Sequence, residues 1–234
     1  MRRWSEIGLG VALATMLVMV VGCTKPQATK SAENTSGPES EKIPTVEQAS
    51  KAAAQGTLVF TETFDDENWR EDWSGSTTAW RVEGGKLKGQ GDKNAGLWWS
   101  GELPKEAIIE FDAWAESKDG DLKVELYGTK REHQSGYVVI LGGWKNRISI
   151  IARKDEHGGD RLENRQKVAS PGQKHHFRIV KQAGDLSWYV DGQQVLSFAD
   201  KAPLSGTTFG FANWEAPVAF DDLRIFDLTE VTRN

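Results

Sequence analysis

The chain has 234 residues and a formal net charge of −5 at neutral pH, with 29 Lys and Arg against 34 Asp and Glu. This mildly acidic balance argues against the basic surface that nucleic-acid binding requires, so we expect no nucleic-acid partner. The ten Trp are an unusual excess over the three Tyr. Because an indole buries a large apolar area and carries one N–H donor, they predict an aromatic core, exposed aromatic platforms, or both.

The first 23 residues have the pattern of an export signal. Two arginines near the start precede an apolar run over Ile7–Val21, and Gly22 stands before Cys23, the only cysteine. A basic start, a short apolar stretch and a small residue before a break are typical of a secretory signal. The run is shorter than the ~20 residues that a membrane-spanning helix needs.

Cysteine at this break resembles the lipobox of bacterial lipoproteins. The resemblance implies a signal peptide over residues 1–22, diacylglycerol on the Cys23 thiol and a lipid anchor in the cell envelope. Thr24 stands where some bacteria place the Asp that retains lipoproteins in the inner membrane. The expected location is therefore the envelope, with the outer membrane favoured over the inner membrane.

Residues 23–56 are predicted to be the lipidated cysteine and a disordered linker. They contain Pro26, Pro38 and Pro44, no aromatic residue, and many Thr, Ser, Lys, Glu and Gln. Such a composition buries too little apolar surface to order itself. A flexible coil of about 33 residues reaches ~30 Å, which would hold the following domain off the membrane.

Residues 57–229 are predicted to form one all-β domain, followed by a short tail over 230–234. Hydrophobic residues alternate with polar ones: Ile109, Phe111 and Ala113 share one face of a strand, and Glu110 and Asp112 share the other. Alternation of this kind is the signal of a half-buried strand. Many short strands in one chain are typical of a sandwich or barrel.

Turn residues separate the predicted strands. The hairpin candidates are Lys118-Asp119-Gly120, Lys145-Asn146, Gln182–Asp185 and Asp191-Gly192. The clearest meander runs through His175–Lys181, Leu186–Val190 and Gln193–Phe198.

The order of short motifs along residues 57–228 resembles the concanavalin A-like lectin/glucanase superfamily. Within it, the order is most similar to the 3-keto-disaccharide hydrolase and laminin G-like domain families. The resemblance implies a jelly-roll β-sandwich of two antiparallel sheets that binds glycans on its concave face or edge loops. The motifs are Phe64-Asp65-Asp66, Trp80–Leu87, Ile109-Glu110-Phe111, Gln134–Tyr137, Trp188–Gly192, Gly206–Phe211 and Ala219–Ile225.

The superfamily includes glucanases with two Glu and one Asp on one strand face, and the nearest string here is Glu110-x-Asp112-x-Trp114-x-Glu116. Retaining glycosidases need two carboxyl groups about 5–5.5 Å apart. At ~3.3 Å per residue, Glu110 and Glu116 lie ~20 Å apart. The sequence therefore assigns no catalytic residue, and a solvated strand face is the favoured interpretation.

Aromatic residues beside turns and carboxylates are candidate sugar-binding groups, because an indole plane can stack on the apolar face of a sugar. Trp144 is the strongest candidate, since glycines before it and Lys145-Asn146 after it mark a turn. For any single Trp, burial in the core is the alternative. The full set of candidate ligand-binding residues is Trp144, Trp114, Trp214, Glu110, Asp112, Tyr137 and Arg153.

Two acidic pairs suggest a structural cation, although no cofactor is expected to be required. Asp65-Asp66 begins the domain and Asp221-Asp222 ends it. First and last strands are often neighbours in jelly rolls, and Ca²⁺ takes six to eight oxygen ligands. The alternative is two exposed turn ends.

Three functions follow from these observations. The leading one is a monomeric, membrane-anchored envelope lipoprotein whose sandwich binds a glycan or glycoconjugate without catalysis. The second is a glycoside hydrolase or lyase that acts on modified disaccharides. The third is an envelope scaffold that binds protein partners.

Overall fold

The computed structural model describes residues 56–76 and 78–229 of the chain. The predicted signal peptide, Cys23, the linker up to residue 55 and the tail over 230–234 lie outside the described residues. Within the described ranges, no helix has the length and apolar character needed to span a membrane.

Fifteen strands make up almost all of the regular structure in this part of the chain. A 3₁₀ helix over Glu67–Asp72 and a short helical turn over Gly143–Asn146 complete it. The strands are β1 Thr57–Glu62, β2 Trp73–Gly75, β3 Trp80–Val82, β4 Leu87–Gly89, β5 Leu97–Trp99, β6 Ala107–Ala115, β7 Leu122–Gly128, β8 Tyr137–Gly142, β9 Ile148–Arg153, β10 Leu162–Asn164, β11 Lys174–Gln182, β12 Asp185–Val190, β13 Gln193–Ala199, β14 Thr208–Ala212 and β15 Val218–Asp227.

The strands form two antiparallel sheets, which confirms the predicted jelly-roll sandwich. Sheet A has eight strands in the order β13-β12-β11-β6-β15-β4-β3, and β1 also pairs with β15. Sheet B has seven strands in the order β10-β9-β8-β7-β14-β5-β2. The first and last strands are therefore neighbours, as the sequence analysis expected.

The core lies between the sheets and is rich in aromatic rings. Phe111 of sheet A stacks on Phe177 at 4.8 Å between ring centroids, and Phe211 of sheet B stacks on Phe220 at 4.2 Å. Phe111 also meets Phe211 edge-on at 5.4 Å, so the two sheets are joined by direct ring contacts. Offset and edge-to-face pairs of this kind add about 0.5–1.5 kcal/mol each beyond their area burial.

Three of the four predicted hairpin turns join paired strands. Lys145-Asn146 connects β8 to β9, Gln182–Asp185 connects β11 to β12, and Asp191-Gly192 connects β12 to β13. The prediction for Lys118-Asp119-Gly120 was wrong, because this turn carries the chain from β6 in sheet A to β7 in sheet B. Both edges of β6 are already paired, with β11 and β15, so β7 cannot join it.

Strand β7 departs from the simple alternation near its end. Strict alternation would place Tyr127 on the same face as Lys123 and Glu125, yet its ring is buried in the core. The pairing with β14 skips Tyr127, whose φ of 59° is left-handed. A β-bulge adds one residue to one strand of an antiparallel pair and changes the direction of the side chains there. The bulge at Tyr127 therefore turns its ring into the core.

Candidate functional site

The outer face of sheet A carries ion pairs around β6. Glu110 accepts a hydrogen bond from Arg178 of β11, and Arg224 of β15 lies 3.5 Å from its other oxygen. Asp112 accepts hydrogen bonds from Lys174 and His176, both at 2.8 Å. Cross-strand register explains these contacts, because β11 and β15 place Arg178 and Arg224 directly beside Glu110.

The charged neighbours of Asp112 determine its protonation state. Burial acts to raise the pKa of this carboxyl, but the hydrogen bonds from His176 and Lys174 outweigh burial and hold the pKa below its ordinary value. Asp112 is therefore held as a carboxylate that accepts hydrogen bonds.

A groove of about 470 Å³ opens at the Trp114 end of the same face. This volume falls within the range of small-ligand clefts. The groove is lined by the end of β6 and the residue after it, by β4 and the turn before it, by β15 and by the turn before β11: Glu83, Gly84, Lys86, Lys88, Trp114, Glu116, Gly172 and Ala219.

Trp114 lies half-buried in this groove, and its indole carries a cation. The Lys86 Nζ lies 4.4 Å from the ring centroid, within the range of a cation–π contact. The Lys88 Nζ lies between two carboxylates that line the groove, 3.0 Å from that of Glu116 and 3.5 Å from that of Glu83. The hydrogen bond with Glu116 raises the pKa of Lys88, so this lysine stays charged.

Trp144 lies in the turn Gly143–Asn146 on the sheet B side of the sandwich. Its ring packs on apolar side chains of the outer face of β8 and β9. The Arg161 guanidinium lies 4.7 Å over the ring, and His157 meets it edge-on at 5.5 Å. The indole is therefore covered by neighbours of its own chain.

Trp214 follows β14 and is the most exposed Trp among these candidates, at 44% of its surface. Lys93 lies 5.0 Å over its ring. The strand that carries Trp114 belongs to sheet A, whereas Trp144 and Trp214 follow strands of sheet B. The structure does not bring these three rings together in one site.

Tyr137 and Arg153 meet at Asp200. The Tyr137 hydroxyl donates to Asp200 Oδ2 at 2.6 Å, and Arg153 Nε donates to the same oxygen at 3.0 Å. Burial and the bond to Asp200 raise the pKa of Tyr137 to about 12. These two residues join β8 and β9 to the end of β13, and their role in ligand binding stays a prediction.

The acidic pairs at the two ends of the domain do approach each other. Burial raises the pKa of Asp221, and the charges of Asp222 and Asp65 raise it further. Nowhere in residues 56–76 and 78–229 are three or more His, Cys, Asp or Glu side chains grouped so that they could hold a metal ion. The calcium site at Asp65, Asp66, Asp221 and Asp222 stays a prediction.

Sheet B carries a buried charged cluster that the sequence analysis missed. Lys123 of β7 is 1% exposed, and its Nζ lies 2.7 Å from Asn94 Oδ1 and 3.0 Å from Glu156 Oε2. Glu125 accepts hydrogen bonds from the His133 ring at 2.6 Å and the Gln134 amide at 2.7 Å. The available signal was the spacing Asp121-x-Lys123-x-Glu125, which puts three charges on one strand face.

Asp121 is a buried acid of this cluster. Burial raises its pKa to about 6, although the Lys123 charge acts in the opposite direction. Its Oδ1 accepts no hydrogen bond in the described part of the chain. The loops over 129–136 and 154–161 bring His133 and Glu156 onto this face, so it is a covered polar layer.

Comparison with known proteins gives one family model and a set of structural relatives. A model described as "Farnesoic acid 0-methyl transferase" matches residues 109–221, which is less than half of the chain. No curated protein sequence matches the chain.

Solved structures share the fold at low identity. A carbohydrate-binding module, CBM66, from Bacillus subtilis is 16% identical, with a TM-score of 0.57 over 67% of this chain and 96% of that one. A Bacillus licheniformis β-glucanase is 11% identical, with a TM-score of 0.56 over 74% and 98%. A laminarinase from Flavobacterium sp. UMI-01 is 13% identical, with a TM-score of 0.57 over 73% and 100%. At these identities the similarities establish the concanavalin A-like jelly-roll fold.

Proposed function

We propose that this protein is a lipid-anchored protein of the cell envelope whose β-sandwich binds carbohydrate without catalysis. The observation that carries the proposal is the groove beside Trp114. A half-buried indole lies in a polar groove of about 470 Å³, with Glu116 and Lys88 beside it. An aromatic side chain with placed polar groups beside it is a recurring part of small-ligand sites.

The chemistry of the groove suits a sugar. The face of an indole can pack against the C–H groups of a pyranose ring, while nearby carboxylates and ammonium groups exchange hydrogen bonds with its hydroxyls. Glycines at positions 84 and 172 leave the rim open, because a Cβ at either would meet nothing within 4 Å. Solved structures of a carbohydrate-binding module, a β-glucanase and a laminarinase share this fold and give independent support for a carbohydrate ligand.

The state of Asp112 supports binding rather than hydrolysis. A glycosidase needs one carboxylic acid with a raised pKa, which protonates the leaving oxygen. The pKa of Asp112 is instead lowered, and Glu110 beside it is paired with Arg178. Asp112 and Glu110 are therefore arranged as hydrogen-bond acceptors.

The anchor is supported by the sequence alone. Cys23 follows the short apolar run and would carry the lipid, with residues 24–56 as the spacer. Two hydrophobic signals are normally needed for stable anchoring, and a diacylglycerol supplies two chains. Cys23→Ser is expected to move the protein from the membrane pellet to the soluble fraction, and continued sedimentation with membranes would contradict a lipid anchor.

The binding proposal is tested by isothermal titration calorimetry with oligosaccharides chosen from a glycan array. Trp114→Ala is expected to abolish binding, with its melting temperature recorded to show that the domain still folds. The matched control is Trp214→Ala, which removes another surface indole that lies under a lysine.

Each outcome of this test has a distinct meaning. Loss of binding in the Trp214 variant alone would place the site on the other sheet. Release of reducing sugar during the titration would favour a hydrolase. Absence of binding to any glycan would remove the carbohydrate proposal and leave a protein-binding scaffold.

A further inference from the structure

The indole of Trp114 already holds an ammonium group. The Lys86 Nζ lies 4.4 Å from the ring centroid, although both residues border the open groove. A neutral sugar that stacked on this face would displace the lysine and lose its cation–π contact. A ligand that carries its own ammonium would replace that contact with an equivalent one.

The carboxylates around this ammonium are paired with cations. Glu83 and Glu116 line the groove, and Lys88 is shared between them. The half-buried Asp221 of β15 lies close enough to feel the charge of Lys86. If Lys86 moved away from the ring, Lys88 and Arg81, which lies 2.9 Å from Glu83, would remain beside the two carboxylates. The groove then holds no excess of positive charge that would repel a ligand ammonium.

The Lys86 ammonium has Asp221 as an alternative partner when it leaves the Trp114 ring. Asp221 accepts a hydrogen bond from the Asp222 amide at 2.8 Å but forms no ion pair within the described residues. The charges of Asp65 and Asp222 make a nearby cation favourable there, and they act to raise the pKa of Asp221. An exchange in which Lys86 turns toward Asp221 while a ligand ammonium takes its place on the ring would keep the cation–π contact and bring a cation nearer to Asp221.

We infer that the groove selects sugars with a free, protonated amine. The Lys86 ammonium occupies the position of that amine over the Trp114 ring when no ligand is bound. The inference rests on the proposed function, because it names the class of carbohydrate that the Trp114 groove takes. Lys86 is then a specificity-determining residue, since it competes with cationic ligands and shields the ring when no ligand is bound.

The test compares three probes of equal length by calorimetry at about pH 6, below the ordinary pKa of an α-amino group. The probes are glucosamine oligomers, their N-acetylated counterparts and uronic acid oligomers. We expect the glucosamine oligomers to bind most tightly, the N-acetylated oligomers less tightly and the uronic acid oligomers least tightly. Lys86→Met keeps the length of the side chain and removes its charge, and we expect it to tighten amine binding about two- to five-fold.

Two further variants test whether the charge of the groove determines amine binding. Glu116→Gln is expected to weaken amine binding by a similar factor and to leave the acetylated probe unchanged. Lys93→Met removes the equivalent lysine from Trp214 and is the matched control, with no expected change.

The inference and the proposed function fail in different ways. The amine selectivity would be overturned if the wild type bound the amine and acetylated probes with equal affinity. It would also be overturned if Lys86→Met bound both probes more tightly by the same factor, or bound the amine probe more weakly. In each of those cases binding that depends on Trp114 would still support a carbohydrate site. If none of the three probes nor any neutral glycan binds, the proposed function itself fails.

Discussion

Lys123 of β7 and Glu156 of the 154–161 loop form an ion pair beneath the loops that cover sheet B, with Nζ and Oε2 3.0 Å apart. Both side chains are more than nine-tenths buried. Asn94 adds a hydrogen bond to the same ammonium at 2.7 Å. One buried charge on a strand therefore holds two separate loops against the outer face of its sheet.

Loss of this charge should destabilise the fold. Lys123→Met leaves the Glu156 carboxylate buried without its cation, and breaking a buried pair from one side costs about 3–5 kcal/mol. The free energy of unfolding in urea measures this cost. The control is Lys93→Met, which breaks an exposed pair with Glu215 and should change stability by less than about 1 kcal/mol. Equal effects in the two variants would show that the buried pair has no special role.

Asp121 should give the sandwich a distinct pH dependence. Its pKa is about 6 in the folded protein and 3.8 ordinarily, so the folded state binds the proton more tightly than the unfolded state. Its contribution to stability is therefore fully present below about pH 3.8 and is lost as the pH rises through about 6, a change of about 3 kcal/mol.

Comparison with Asp121→Asn isolates this effect from other acids. Asparagine tolerates the left-handed φ of 68° at this position and keeps an oxygen for hydrogen bonding. The stability of the wild type minus that of the variant should rise as the pH falls from 7 to 4, measured by urea unfolding at each pH. The exposed Asp119→Asn is the control, and a flat difference for Asp121→Asn would contradict the raised pKa.

Local patterns were enough to predict β6, the meander of β11, β12 and β13, and three of the four turns that were proposed as hairpins. Alternation in β6 correctly assigned Ile109, Phe111 and Ala113 to the core and Glu110 and Asp112 to the other face. Such patterns depend only on neighbours along one strand, because side chains alternate with period two.

Contacts distant in sequence were not predictable in this way. His133 and Glu156 lie in the loops over 129–136 and 154–161, yet they pair with buried charges of β7. Which sheet a strand joins, and which loop covers a face, depend on partners far along the chain. Alternation within one strand carries no information about them.

The turn at Trp144 gives a third prediction, because several of its residues are left-handed. Trp144, Lys145 and Asn146 have φ values of 53°, 60° and 59°. Asn146 anchors the turn through two hydrogen bonds with the Ala169 backbone, at 2.7 and 3.0 Å. Non-glycine residues held in this region cost about 1–3 kcal/mol each unless surrounding contacts fix them.

Two substitutions at Asn146 separate the anchor from the backbone strain. Asn146→Ala loses both hydrogen bonds and keeps an unfavourable φ, so it should cost about 2–3 kcal/mol. Asn146→Gly loses the bonds but relieves the φ, and it should cost about 1 kcal/mol less than alanine. Lys145→Gly, where the side chain is exposed, should be neutral or slightly stabilising. If glycine and alanine at position 146 cost the same, backbone strain plays no part in this turn.

The pairing of Gly210 with Trp98 gives the last prediction. The two residues are cross-strand partners on β14 and β5, and the Trp98 ring lies directly over the glycine. A Cβ at position 210 would lie 2.5 Å from the ring, so Gly210→Ala should cost about 1–3 kcal/mol through overpacking. Gly159→Ala is the control, because a Cβ there meets nothing within 4 Å.

A smaller side chain at Trp98 should rescue the alanine. Trp98→Leu destabilises the sheet by itself, because it removes a buried indole, but it opens space above position 210. The cost of Gly210→Ala should therefore be smaller in the Trp98→Leu background than in the wild type, which a double-mutant cycle measures directly. An unchanged cost would mean that the strain comes from the Leu97 carbonyl, which would lie 2.9 Å from the same Cβ. The ring, rather than the strand backbone, is the contact that we expect to require glycine at position 210.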